Sequence, residues 1–182
     1  MKLFIIDKKS LVCMLCALAI ALLIPLGTKI AIPVSVTQRV LPIYCVEKHQ
    51  KDIAVTFDSA WGNEDLNEIL NTLDNYNCKA TFFVVGDFID KYPDSVKEMN
   101  KRGHEVANHS NKHAHYSKLS REEIIADMDA CDKKIKDITG KDNIIFRPPY
   151  GEYTNTSVLA CKETGRYSIQ WDVEPLATVG IS

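Results

Sequence analysis

His109 and His113 lie four positions apart in the stretch His109-Ser110-Asn111-Lys112-His113. If that stretch makes one helical turn, both imidazoles face the same way and can reach one ion. Divalent metals, zinc above all, accept such nitrogen donors. Read without an ion, the stretch is a histidine-rich surface loop, with His104 and His115 close by. Asp58, in Thr56-Phe57-Asp58-Ser59, ends a β-rich run. A carboxylate there is held rigidly and partly desolvated, which suits a general base. It also suits an N-cap for the helix that begins near Asn63 or Asp65. In Arg147-Pro148-Pro149-Tyr150-Gly151 two prolines stiffen the loop and leave few backbone donors, so the Tyr150 N–H is presented in a fixed direction. Arg147 can pair with a carboxylate and keep it ionised; the bland alternative is a tight turn with a solvated arginine. Trp171 and Asp172 close a final strand, where the indole stacks on a sugar ring or is plain core.

The elements that must position these groups follow from periodicity. Residues 53–57, 81–85, 105–107, 144–146 and 167–170 read as short strands. Leu66, Ile69, Leu70 and Leu73 repeat at helical spacing. A second helix starts near Asp94 and stops at Gly103. The clearest helix opens on the capping box Ser120-Arg121-Glu122-Glu123, carries Ile124, Met128, Cys131, Ile135 and Ile138 on one face, and closes at Gly140. Residues 156–164 form another. Short apolar strands alternating with amphipathic helices predict an α/β protein with mainly parallel strands. In such folds the loops after the strands' carboxyl ends build the site. Asp58, His109, Arg147 and Trp171 all fall there.

The first thirty residues differ. Lys2, Lys8 and Lys9 precede residues 11–26, an apolar run without charge. Positive charge on the short side keeps that end cytoplasmic, so the rest is expected to cross. With no small-x-small cleavage site after the run, an uncleaved single-pass anchor is the expectation; cleavage would instead release a secreted domain. The expected division is 1–29 head and anchor, 30–50 connector with Pro33 and Pro42, and 51–182 a single domain. Forty-six per cent hydrophobic and 25% charged residues suit a globular chain, and a net charge of -2 with no basic stripe argues against nucleic acid. Cys13 and Cys16 lie in the apolar run; Cys45, Cys78, Cys131 and Cys161 are dispersed, with no CxxC pair. They are compatible with two disulfides or with buried thiols.

Taken together and in this order, the motifs over roughly residues 46–182 resemble the polysaccharide deacetylases of carbohydrate esterase family 4, the NodB-homology domain. The family's T-F-D-D looks like residues 56–59, its H-[ST]-x-x-H matches His109, Ser110 and His113, and its R-x-P-Y matches Arg147, Pro149 and Tyr150. The stretches Phe57-Asp58-Ser59-Ala60-Trp61-Gly62 and Phe82-Phe83-Val84-Val85-Gly86 look most like the sporulation-associated PdaB branch, of which a membrane anchor is typical.

The resemblance implies a distorted (β/α) barrel acting outside the cytoplasm on N-acetylated cell-wall or spore-wall glycan, peptidoglycan or chitin-like, and releasing acetate. It implies His109 and His113 as metal ligands, Asp58 as general base, Arg147 as its holder and Tyr150 N–H as oxyanion donor. Tyr150 and Trp171 would line the substrate.

Two departures modify that expectation. Ser59 stands where the family usually has a metal-binding aspartate, a weaker ligand for a divalent cation. Relatives in the sporulation branch also tend to lack it, so the change need not abolish activity. Ala177 and Thr178 stand where the family has an Asp-Trp pair, and no histidine follows His115, whereas the family ends in a Leu-x-His strand that supplies the general acid. The expectation is a domain incomplete at its C-terminus, with an open sheet edge. The competing expectation is a non-catalytic, membrane-anchored glycan- or metal-binding relic.

Overall fold

The computed structural model describes residues 7–27 and 38–174. Residues 30–37 of the expected connector and positions 177 and 178 lie outside the described residues. The chain divides into two units, Met1–Gln38 and Arg39–Ser182. The described part of the first is helix α1, Lys8–Gly27. Among the described residues no helix is long and apolar enough to cross a membrane.

The second unit is built on five parallel strands in sequential order: β1 Thr56–Ser59, β2 Thr81–Val84, β3 Glu105–Asn108, β4 Ile145–Phe146 and β5 Tyr167–Ser168. Between them run α2 Leu66–Asn75, α3 Gly86–Lys91, α4 Pro93–Lys101, α5 Arg121–Thr139 and α6 Asn155–Glu163. Parallel neighbours in chain order, joined by crossovers of one hand, carry their helices on a single face. Helices α3, α4 and α6 accordingly all pack on α5. The side-chain alternation of strands then separates two faces. Phe57, Phe82, Val84 and Val106 meet the helices in the main core, with Leu70, Phe88, Val96, Met99 and Ile135. Thr56, Asp58 and Phe83 face the other way, as barrel-interior positions would.

Helix α5 organises this packing. Ser120 Oγ accepts from the Glu123 N–H and the Glu123 carboxylate accepts from the Ser120 N–H, so the expected capping box forms. Ile124, Met128, Cys131 and Ile135 are buried along one stripe, roughly 1.5–3 kcal/mol for a side chain the size of Ile or Met. The cysteines are free thiols; Cys131 and Cys161 are buried and Cys45 is exposed. Burial pushes the Cys161 thiol up to about 12.

Three details differ from the sequence reading. The first strand is Thr56–Ser59, and Ile53, though apolar, is exposed. The stretch after β2 contains a separate helix, α3, whose six residues are too few to show a period. The outer edge of β5 is not bare: Ile43 bridges Ile169 in parallel, its N–H donating to Ser168 O and its carbonyl accepting from Gln170 N–H, both at 2.8 Å. Arg39 donates to the Tyr153 hydroxyl and the Val40 N–H to Asn155 Oδ1, each at 2.9 Å. Part of the expected connector therefore pairs with the sheet edge through a single bridge, which satisfies N–H and C=O groups that the edge would otherwise leave unpaired.

Candidate active site

Arg147 follows β4 and turns its side chain across the sheet. Its guanidinium is 4% exposed and lies over the Phe83 ring at 4.0 Å. Nη1 donates to Asp58 Oδ1 at 2.8 Å and to Thr56 Oγ1 at 3.0 Å; Nη2 donates to the Gln170 carbonyl at 3.3 Å. A buried cation is tolerable only when so paired. Asp58 is thereby fixed by one oxygen, while its side chain stays 35% exposed and Oδ2 remains open to the mouth.

Oδ2 faces His109 Nε2 at 3.6 Å. The protonation of His109 follows from its other nitrogen: Nδ1 lies 2.8 Å from the Arg147 carbonyl, which only accepts, so Nδ1 carries the proton. Burial holds the imidazole below its ordinary pKa, more strongly than Asp58 raises it. The neutral ring then presents an Nε2 lone pair to a carboxylate oxygen, an arrangement that calls for a cation or a water proton between them. A ligand histidine whose second nitrogen donates to a carbonyl has the geometry that metal sites use.

His113 reaches the same mouth by a different route from the one expected. Residues 109–113 form no helical turn: Ser110 (φ 73°) and His113 (φ 51°) are left-handed. Such residues cost roughly 1–2 kcal/mol each and need compensating bonds. The bonds are present. The Ser110 N–H donates to Asn108 Oδ1 and the His113 N–H to Ser110 Oγ, each at 2.7 Å. The Asn111 N–H donates to Asp127 Oδ2 at 2.8 Å, and Asn108 Nδ2 reaches Met128 O and Asp132 Oδ1 on α5. The N–H groups of Gly86 and Asp87, opening α3, donate to the carbonyls of Ser110 and Asn111. The two imidazole centroids end 5.1 Å apart. Burial, then neighbouring His109, lowers the His113 pKa, and its Nδ1 is buried without a partner among the described residues.

The donors brought together at this mouth are the two imidazoles of His109 and His113. Among the described residues no group of three or more His, Cys, Asp or Glu side chains could hold a metal ion. The fit is that of a two-nitrogen site.

Tyr150 sits in a tight 3-10 turn, Pro149–Gly151, with φ 60°. No hydrogen bond from its N–H is formed among the described residues, which leaves that donor available. Gly151 has φ 65°, and a Cβ there would meet Trp171 Cη2 at 2.7 Å, so only glycine lets the indole close under the loop. Trp171 is half-buried, with the Arg147 guanidinium 5.5 Å from its ring. Asp58, His109, His113, Arg147 and Trp171 are thus joined by direct contacts, and Tyr150 adjoins them through His113. Thr56, Asn108, Asp127 and Tyr116, whose hydroxyl donates to Asp127 at 2.7 Å, were not singled out by sequence. The available signal was Asp127, a carboxylate beside the apolar stripe of α5.

A family model described as polysaccharide deacetylase matches residues 46–169. The peptidoglycan-N-acetylmuramic acid deacetylase PdaA of Bacillus subtilis is 30% identical over 131 residues, 71% of this chain and 50% of that protein. The peptidoglycan-N-acetylglucosamine deacetylase PgdA of Listeria monocytogenes is 37% identical over 127 residues, 70% of this chain and 27% of its own length. Among solved structures, a CE4 family pseudoenzyme from Bacillus anthracis superposes with a TM-score of 0.70 at 31% identity, over 73% of this chain and 47% of that one. The chain spans about half the length of the first curated relatives it matches.

Proposed function

Because the chain belongs to the polysaccharide deacetylase family, we propose that it hydrolyses N-acetyl groups on a bacterial cell-wall glycan, releasing acetate and leaving a free amine on the sugar. The observation that carries this reading is the Asp58–Arg147–His109 cluster: a carboxylate held by one oxygen, with the other oxygen facing an unprotonated imidazole nitrogen. Peptidoglycan is the favoured glycan, since relatives with stated substrates act on it. Resemblance of the residues around Trp61 and Gly86 to the PdaB branch favours a role in spore-wall processing. Lys2, Lys8 and Lys9 ahead of the apolar run support a membrane-tethered, extracytoplasmic domain.

In this reading Asp58 Oδ2 takes a proton from the attacking water, and Arg147 keeps that carboxylate ionised and aimed. His109 and His113 would hold a divalent cation, zinc by preference for imidazole, which when bound polarises the acetamide carbonyl and the water. The Tyr150 N–H would donate to the oxygen that becomes negative as the carbonyl turns tetrahedral. The C–N bond then breaks, and the proton accepted by Asp58 balances the one the leaving nitrogen needs.

A second reading, a glycan-binding member without turnover, is favoured by Ser59 and by likeness to a described pseudoenzyme. Acetate release from purified peptidoglycan and from chitin oligomers, with and without chelator, separates the two. The hydrolase reading expects zinc-dependent release lost in Asp58→Asn and His113→Ala. Release indifferent to chelator and to both substitutions defeats it, and saturable binding without release establishes the second.

A further inference from the structure

Two positions beyond β5 stands a polar side chain where an apolar one would pack without penalty. Gln170 is 5% exposed, and a buried primary amide is unfavourable unless its polar atoms are paired. Its Nε2 donates to the Gly151 carbonyl at 2.9 Å. The main chain of the same residue is engaged as well. The Gln170 N–H donates to Ile43 O at 2.8 Å, and its carbonyl accepts from Arg147 Nη2 at 3.3 Å. One residue therefore touches the sheet edge, the arginine that holds Asp58, and the turn that carries Tyr150.

That turn needs an outside hold. Tyr150 has φ 60° and Gly151 φ 65°, two left-handed residues in succession, and a tyrosine at such φ is strained. Within the turn, the Gly151 N–H donates to Pro148 O at 3.3 Å, long for an amide bond, and the Glu152 N–H to Pro149 O at 3.0 Å. Pro148 and Pro149 have no backbone N–H to add. The Gln170 amide is the bond that ties this turn to the sheet, with the Trp171 ring packed beside Gly151.

We infer that Gln170 is a positioning residue: by fixing the Gly151 carbonyl it holds Tyr150 in its left-handed conformation and so aims the Tyr150 N–H. Because Gln170 also accepts from Arg147, that N–H and the Asp58 carboxylate are held in one frame. This rests on the deacetylase reading for what the Tyr150 N–H does. A donor of that kind helps only when aimed at the oxygen that becomes negative, so a tilt of the turn is felt in turnover and not in substrate binding.

The test is Gln170→Met, which keeps the length of the side chain and removes the donor. Gln170→Glu is the second variant, since an ionised carboxylate cannot donate. Hydrogen exchange is read at the Gly151 and Glu152 amides, which close the turn, and at the amides of α5 as a measure of global stability. Acetate release from chitin oligomers at saturating zinc gives kcat and KM, scaled to active protein by the zinc stoichiometry from calorimetry. Both variants are expected to speed exchange at Gly151 and Glu152 about tenfold with α5 unchanged, and to lower kcat about tenfold with KM within about twofold. Unchanged exchange at the turn, acceleration shared equally by α5, or an unchanged kcat in a variant whose turn has loosened each overturns the inference. If the unmodified chain releases no acetate, the deacetylase reading falls, and exchange at the turn alone decides whether Gln170 fixes it.

Discussion

The Arg147 guanidinium donates to Asp58 Oδ1 at 2.8 Å across 89 positions of sequence, and the arginine side of that pair is closed to water. The same guanidinium also donates to Thr56 and to the Gln170 carbonyl, so it ties β1 to the chain following β5 across the face opposite the helices. Positioning the Asp58 carboxylate and holding the sheet are one function here.

Arg147→Ala should therefore cost stability as well as activity. Loss of the buried cation's bonds predicts about 3 kcal/mol by denaturant unfolding. Arg147→Lys should recover part of the stability, since it restores charge, but not the forked contact to Asp58, Thr56 and Gln170. Equal stability of all three proteins would contradict the pairing.

Ser59→Asp should tighten divalent metal binding by about tenfold or more, because it restores the carboxylate that the family usually carries at this position and a carboxylate is a stronger ligand than a neutral hydroxyl. Zinc titration by calorimetry reads this directly. An unchanged affinity would mean that position 59 does not face the ion.

His104 and His109 are both buried, and desolvation lowers the pKa of each in the fold. A histidine with a depressed folded pKa takes its proton first in the unfolded chain. The metal-free protein should then lose stability as pH falls below the unfolded value of about 6.5, down to the folded values, and be stable above it. His104 Nδ1 accepts from the Ala80 N–H at 3.3 Å, away from the His109–His113 pair, so His104→Asn should reduce that slope by about one proton. Melting temperatures from pH 5 to 8 check it.

Gly86→Ala should damage the site from outside it. A Cβ at Gly86 would lie 2.1 Å from Asn111 Oδ1 and 2.9 Å from Asn111 Cα, so the His109–His113 loop must shift. About 1–3 kcal/mol of destabilisation is expected, together with weaker zinc binding. Hydrogen exchange at the Gly86 and Asp87 amides, which donate into that loop, should rise in parallel.

Much of this architecture was legible in the chain. Helix α5 appeared within a residue of its ends because Ser120, Glu123 and the Ile124–Met128–Cys131–Ile135 spacing are local signals that tertiary packing reinforces. The strands were found within a few residues, since each is a short apolar run. Helix α3 was not, because six residues carry no resolvable period. The pairing of Ile43 with Ile169 was invisible because a single extended pairing has no pattern of its own.

The sequence by itself determined which residue types lie at which strand ends: a carboxylate after one strand, paired histidines after another, an arginine and a stiff Pro-Pro-Tyr-Gly loop after a third. Those are matters of order and spacing, which one dimension records. Only the tertiary structure decided how they act. The Arg147 side chain reaches Asp58 while its carbonyl fixes the His109 tautomer, left-handed Ser110 and His113 replace the expected helical turn, and Trp61 stands exposed beside His113. The physical reason is that hydrogen-bond direction and burial depend on distances set by strand pairing between remote segments, and no local period encodes those distances.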